Sequence, residues 1–122
     1  MILRVARHTA DLQQITYFYH DILGLEILGS FANHDGYDGV FLGHKNNGWH
    51  LEFTASNEMP VHEPDEDDLL VFYCNNAAEK INLKNRLIAA GFNQVKAKNP
   101  YWNQNGTTFV DPDGFRLVLT II

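Results

Sequence analysis

A helix-capping signal and a helix-stopping glycine each occur twice along this chain, in the same order and at nearly the same separation. Asp11-Leu12-Gln13-Gln14 and Asn76-Ala77-Ala78-Glu79 both set a side-chain oxygen three residues ahead of Gln or Glu, the spacing of a capping box. Gly24 and Gly91 follow as C-terminal stops. The caps are 65 residues apart and the glycines 67, slightly over half of the 122-residue chain. Apolar runs at 2–5 and 69–74 precede the two caps, so a strand-helix-strand order recurs. An internal repeat of this length predicts two like βαβββ modules, neither of which covers its own sheet alone.

Within the first half, Leu12, Ile15, Phe18, Tyr19, Ile22 and Leu23 fall on one helical face. Strands are expected at 25–28, 40–42 and 49–54, separated by the turns His34-Asp35-Gly36 and Asn46-Asn47-Gly48. In the second half the helix carries Ile81, Leu87 and Ile88, residues 92–95 echo 25–28, and Asp111-Pro112-Asp113-Gly114 joins two closing strands. Tyr101 and Trp102 lie in an Asn- and Gln-rich stretch, 99–105, read as a loop. The layout is a single domain over 1–122, with a module at 1–57, an acidic connector at 58–68 and a module at 69–122.

Residues two apart on a strand share a face. Arg4, Ala6 and His8 then form one face, His50, Glu52 and Thr54 a second, Leu69, Val71 and Tyr73 a third, and Arg116, Val118 and Thr120 a fourth. The opposite faces, such as Leu3 and Val5, Trp49, Leu51 and Phe53, or Leu70, Phe72 and Cys74, are nearly all apolar and are expected to pack beneath the helices. Cys74 therefore reads as an inert buried thiol.

Composition narrows the function classes. Fifteen acidic against nine basic residues leave a formal net charge of −6 with no Lys/Arg cluster, which argues against a nucleic-acid partner. Glu58, Glu63, Asp65, Glu66, Asp67 and Asp68 concentrate in the connector and read as a solvated surface. One cysteine excludes an intrachain disulfide or a Cys-rich zinc site. No apolar run approaches the ~18 residues of a membrane helix, and residues 1–8 lack a signal peptide's apolar core, so a cytoplasmic location is expected. There is no Ser-His-Asp order, phosphate-cradling glycine loop or dinucleotide fingerprint.

The opening Val5…Asp11-Leu12…Phe18-Tyr19…Leu23-Gly24-Leu25 and the closing Phe109-Val110-Asp111-Pro112-Asp113-Gly114-Phe115 together resemble the vicinal oxygen chelate superfamily of glyoxalases, bleomycin-resistance proteins and extradiol dioxygenases. The resemblance implies an α+β fold in which two βαβββ modules form a cupped mixed sheet around a ligand cavity, commonly in a homodimer. Metal-dependent members carry His or Glu at positions that fall here on Arg4, Glu52, Leu69 and Val118. Leu and Val offer no lone pair and Arg repels a cation, so the usual metal site is not expected. Strand alternation instead lets Arg4 and Glu52 meet as an ion pair.

The expected function is a metal-free protein that binds or sequesters a small molecule, without a cofactor. Its candidate ligand-binding residues are Arg4, His8, His50, Glu52, Tyr73, Tyr101, Trp102 and Arg116. Tyr101 and Trp102 either stack on a flat ligand or pack at a dimer contact. His20, His34, His44 and His62 read as solvent-facing. One rival reading is a lyase, isomerase or dioxygenase-like enzyme that binds a divalent metal through an altered set, with His50 and Glu52 as catalytic or metal-ligating candidates. Another is a noncatalytic dimeric interaction domain.

Overall fold

In the computed structural model, which describes residues 1–122, Asp11 starts the first helix through its side chain. Its backbone is extended (φ −148°) and its carboxylate accepts from the Gln14 N–H at 3.0 Å. Only this half of the capping box forms, because the Asp11 N–H donates to Thr9 Oγ1 instead. Helix α1 (Leu12–Thr16) runs directly into a π-helical segment (Tyr17–Ile22), and Gly24 ends it at φ +82°. That left-handed conformation favours glycine.

This helix belongs to a compact unit, Met1–His62, with strands β1 (Leu3–His8), β2 (Glu26–His34), β3 (Tyr37–Gly43) and β4 (Trp49–Ala55). The sheet order is β1-β4-β3-β2, with β1 parallel to β4 and the other pairs antiparallel. Ile15, Phe18, Tyr19 and Ile22 are buried, as are Val40, Leu42, Leu51 and Phe53. Tyr19 stacks on Phe53 with ring centres 5.1 Å apart. Leu3 and Val5 do not join this core as their pattern suggested. They remain 59% and 42% exposed, because β1 is an edge strand and α1 rests on β3 and β4. Arg7 reaches from β1 to the Tyr19 hydroxyl at 3.2 Å and lies 5.1 Å over the Phe53 ring.

The second unit, Glu63–Ile122, holds β5 (Leu69–Cys74), α2 (Ala77–Ala89), α3 (Pro100–Asn105), β6 (Thr107–Val110) and β7 (Arg116–Ile121). The sheet order is β5-β7-β6, again with one parallel pair, β5 and β7. Asn76 caps α2 by accepting from the Glu79 N–H at 2.9 Å. At the other end Gly91 (φ +94°) turns the chain so that the Phe92 N–H reaches the Leu87 carbonyl and the Gly91 N–H that of Ile88. Of the three apolar residues that α2 was expected to carry, only Leu87 is buried; Ile81 and Ile88, seven apart and so on one face, are exposed.

The repeat is therefore incomplete in the second unit. Residues 92–95 form no strand, only a single bridge between Val95 and Thr108. Downstream, side chains take the backbone groups that a ladder would need. Arg116 donates to the Lys96 carbonyl at 3.0 Å, and Asn103 holds both the N–H and the carbonyl of Ala97, at 2.8 and 2.9 Å. The Asn- and Gln-rich stretch expected to be a loop becomes α3, with Asn99 as its cap and Pro100 in its first turn. The architecture remains α+β, built on two mixed sheets. No helix is long and apolar enough to cross a membrane.

Candidate functional site

On the sheet face of the first unit opposite α1, the register sets Arg4 beside His50, Ala6 beside Glu52, and Phe41 beside Glu52 from the other strand. The Arg4 Nε–H donates to His50 Nε2 at 2.9 Å, and Nη1 stands 3.7 Å from Glu52 Oε2. The guanidinium lies 4.7 Å over the Phe41 ring, and the same ring meets His50 edge-on at 6.0 Å. Glu52 is 14% exposed and Arg4 51%, so a sheltered carboxylate and an imidazole aim a guanidinium that stays open to solvent. Because His50 Nε2 accepts from Arg4, that nitrogen carries no proton in this arrangement; the ring proton sits on Nδ1.

The expected Arg4–Glu52 pair thus forms and takes His50 with it. Phe41, which no motif marked, completes the cluster. His8 shares the strand face but is engaged elsewhere: its Nε2 lies 3.1 Å from Ser56 Oγ, and its backbone carbonyl accepts from His62 Nε2 at 2.6 Å. His62 is accordingly half-buried rather than solvent-facing. His20 is likewise half-buried, with Nδ1 2.6 Å from the Leu25 carbonyl. His34 and His44 are exposed.

These residues do not fit a divalent cation. A permanently charged guanidinium occupies the space between the imidazole and the carboxylate and already engages both. Val118 is fully buried, with Val118 Cγ1 filling the space beside Gly106, and no group of three or more His, Cys, Asp and Glu side chains is arranged to hold a metal.

In the second unit, Tyr73, Tyr101 and Trp102 come together around one cavity of about 730 Å³, which Lys80, Gln104 and Asn105 also line. That volume lies within the ~300–1,000 Å³ of small-molecule sites. Tyr101 and Trp102 meet edge to face, ring centres 4.8 Å apart, and α3 is tied down because Thr120 Oγ1 donates to the Asn105 carbonyl. Arg116 stands apart from this cavity. It bonds the Lys96 carbonyl and pairs with Glu66 at 3.4 Å. Cys74 is buried; that burial and the charge of Glu79 push its thiol up from its ordinary pKa, against an opposing pull from Lys80.

The two mixed sheets and their strand orders give a glyoxalase-like fold, which solved structures share. The trypanothione-dependent glyoxalase I of Leishmania major superposes with a TM-score of 0.77 at 21% identity, over 99% of this chain and 86% of that one. The fosfomycin resistance protein FosX of Mesorhizobium loti does so with a TM-score of 0.70 at 11% identity, over 96% and 87%. Residues 3–54 match the YycE-like N-terminal domain and residues 67–120 the YycE-like C-terminal domain. The uncharacterized protein YycE of Bacillus subtilis (strain 168) is 43% identical over 119 residues, 95% of this chain and 84% of that one. A 2.0 Å crystal structure of a Bacillus subtilis YycE protein of unknown function superposes with a TM-score of 0.88 at 42% identity, over 98% and 88%. The chain belongs to the YycE-like family.

Proposed function

We propose that this chain is a metal-independent small-molecule binding protein that uses the Arg4, Phe41, His50 and Glu52 cluster to engage an oxyanion on its ligand. The carrying observation is the Arg4 guanidinium, which engages both His50 and Glu52 and so leaves neither free as a metal ligand or base. Nε and Nη1 are committed to these partners, while Nη2 has no partner within the protein and remains to donate to a ligand. Phe41 supports the guanidinium plane from one side, which holds that donor in place before the ligand arrives. Likeness to a fosfomycin resistance protein and a glyoxalase supports a small organic ligand.

The test is calorimetric titration of the untagged protein with fosfomycin, pyruvate and lactate, beside thermal-shift series in Zn, Ni, Mn and Fe salts. The expected result is saturable binding of one of the acids, lost in Arg4→Met, and no metal-induced shift. Stoichiometric metal lost in His50→Ala or Glu52→Ala would overturn the reading in favour of an enzyme with an altered ligand set. A homodimer belongs to the same proposal, supported by the uncovered Ile81 and Ile88 on α2, and light scattering after gel filtration tests it.

A further inference from the structure

The cavity of the second unit has a chemistry of its own. Its lining includes one cationic side chain, Lys80, and no Asp or Glu, with the main-chain carboxylate of Ile122 as the one anionic group among the lining residues. The neighbouring Glu79 carboxylate does not neutralise Lys80 by direct contact. It accepts from the Asn75 amide at 2.9 Å, and no ion pair joins it to Lys80. Of the two lining amides, Asn105 is partly engaged: its Nδ2 donates to the Tyr101 carbonyl at 2.9 Å. Gln104, three residues after Tyr101 on α3, has no protein partner. Tyr101 and Trp102, at an interplanar angle of 83°, present two ring surfaces at a corner, and Tyr73 adds a third aromatic wall from β5.

An aromatic corner calls for a flat apolar body, and an ammonium without an ion-pair partner beside a spare amide calls for an anionic edge. We propose that this cavity is a binding site for a planar aromatic carboxylate, with the ring against Tyr101 and Trp102 and the carboxylate on Lys80 and Gln104. It is a separate site from the Arg4 cluster and does not depend on it. The apolar and charged parts of the ligand are both required, because the rings offer no positive charge to an anion and the ammonium offers no flat surface to a ring.

Isothermal titration of the full chain with 2-naphthoate tests the assignment, with 2-naphthamide as the uncharged counterpart. Saturable binding of the acid is expected, weakened about tenfold or more by Lys80→Gln and by replacement of the acid with the amide, and weakened further as salt is raised. Tyr101→Leu, at an exposed position that need not disturb folding, should weaken binding comparably, whereas Gln104→Ala should have a smaller effect. No saturable heat at millimolar 2-naphthoate would overturn the proposal. So would equal binding of acid and amide, or binding that survives Lys80→Gln and disappears in Arg4→Gln, which would place the probe at the other site.

Discussion

Arg4 decides what its neighbours can do. With the guanidinium removed and an imidazole in its place, position 4 would join His50 and Glu52 as a third nitrogen or oxygen donor on two adjacent strands. Arg4→His is therefore expected to create a zinc site. At a zinc concentration of about 100 times the dissociation constant, the variant should gain roughly 2.7 kcal/mol, visible as a thermal shift. An equal shift in the unaltered protein would show that Arg4 does not block the site. Cys74 gives a second prediction at this scale. A thiol whose folded pKa is raised contributes stability that is fully present below its ordinary pKa and lost as pH rises through the raised folded value. The urea midpoint should thus fall as pH rises above the thiol's ordinary pKa of 9.0, and Cys74→Ala should flatten that fall. Because the Lys80 charge lowers the thiol pKa, Lys80→Gln should slow alkylation of Cys74 by iodoacetamide.

Among the elements, α3 is the piece that makes the second unit differ from the first. It lies against the sheet face that carries the Val118 and Thr120 side chains. Val118 Cγ1 sits 2.5 Å from where a Cβ on Gly106 would be, and Trp102 packs there as well, at 3.3 Å. Val118 is buried and stiff at χ1, so it cannot swing aside. Gly106→Ala is expected to lower stability by about 1–3 kcal/mol in chemical denaturation, and it should also loosen the corner formed by Tyr101 and Trp102. A variant as stable as the original would mean that α3 can lift from the sheet at little cost. The signals for this helix, Asn99 and Pro100, stand in the sequence, but they are short and surrounded by residues that also favour loops. Asp11, Asn76, Gly24 and Gly91 were readable because caps and stops act within a single turn. The Arg4–Glu52 pair was readable from alternation along individual strands. Phe41 was not, since its place beside Glu52 depends on which residues of β3 and β4 face each other, and the turn between them sets that register. Leu3 and Val5 misled for a related reason: periodicity shows that a face is apolar, and the tertiary structure determines what covers it.

Across the whole molecule, the acidic stretch combines exposure with a few anchoring contacts. Glu58, Glu63 and Glu66 are all exposed, and the division between the two compact units falls at His62 and Glu63. His62 is held to the His8 carbonyl within the first unit, while Glu66 is held by Arg116 within the second. The remaining glutamates, Glu26, Glu52 and Glu79, lie in β2, β4 and α2, whose backbones are committed to ladders or helix. A Glu-specific protease should therefore cut first after Glu58 and Glu66, sparing Glu63 because Pro64 follows it. Intact-mass spectrometry of the early products would show two large fragments divided within the connector, whereas early cuts inside β2 or α2 would contradict this ordering of local stability. The two sites should also respond differently to salt. The Arg116–Glu66 pair is solvent-exposed on its acidic side and weakens as ions screen it, whereas the Ser56 hydroxyl bonds to the Glu58 backbone are uncharged. Raising the ionic strength should accelerate cleavage after Glu66 relative to Glu58, and Arg116→Gln should produce the same change at low salt.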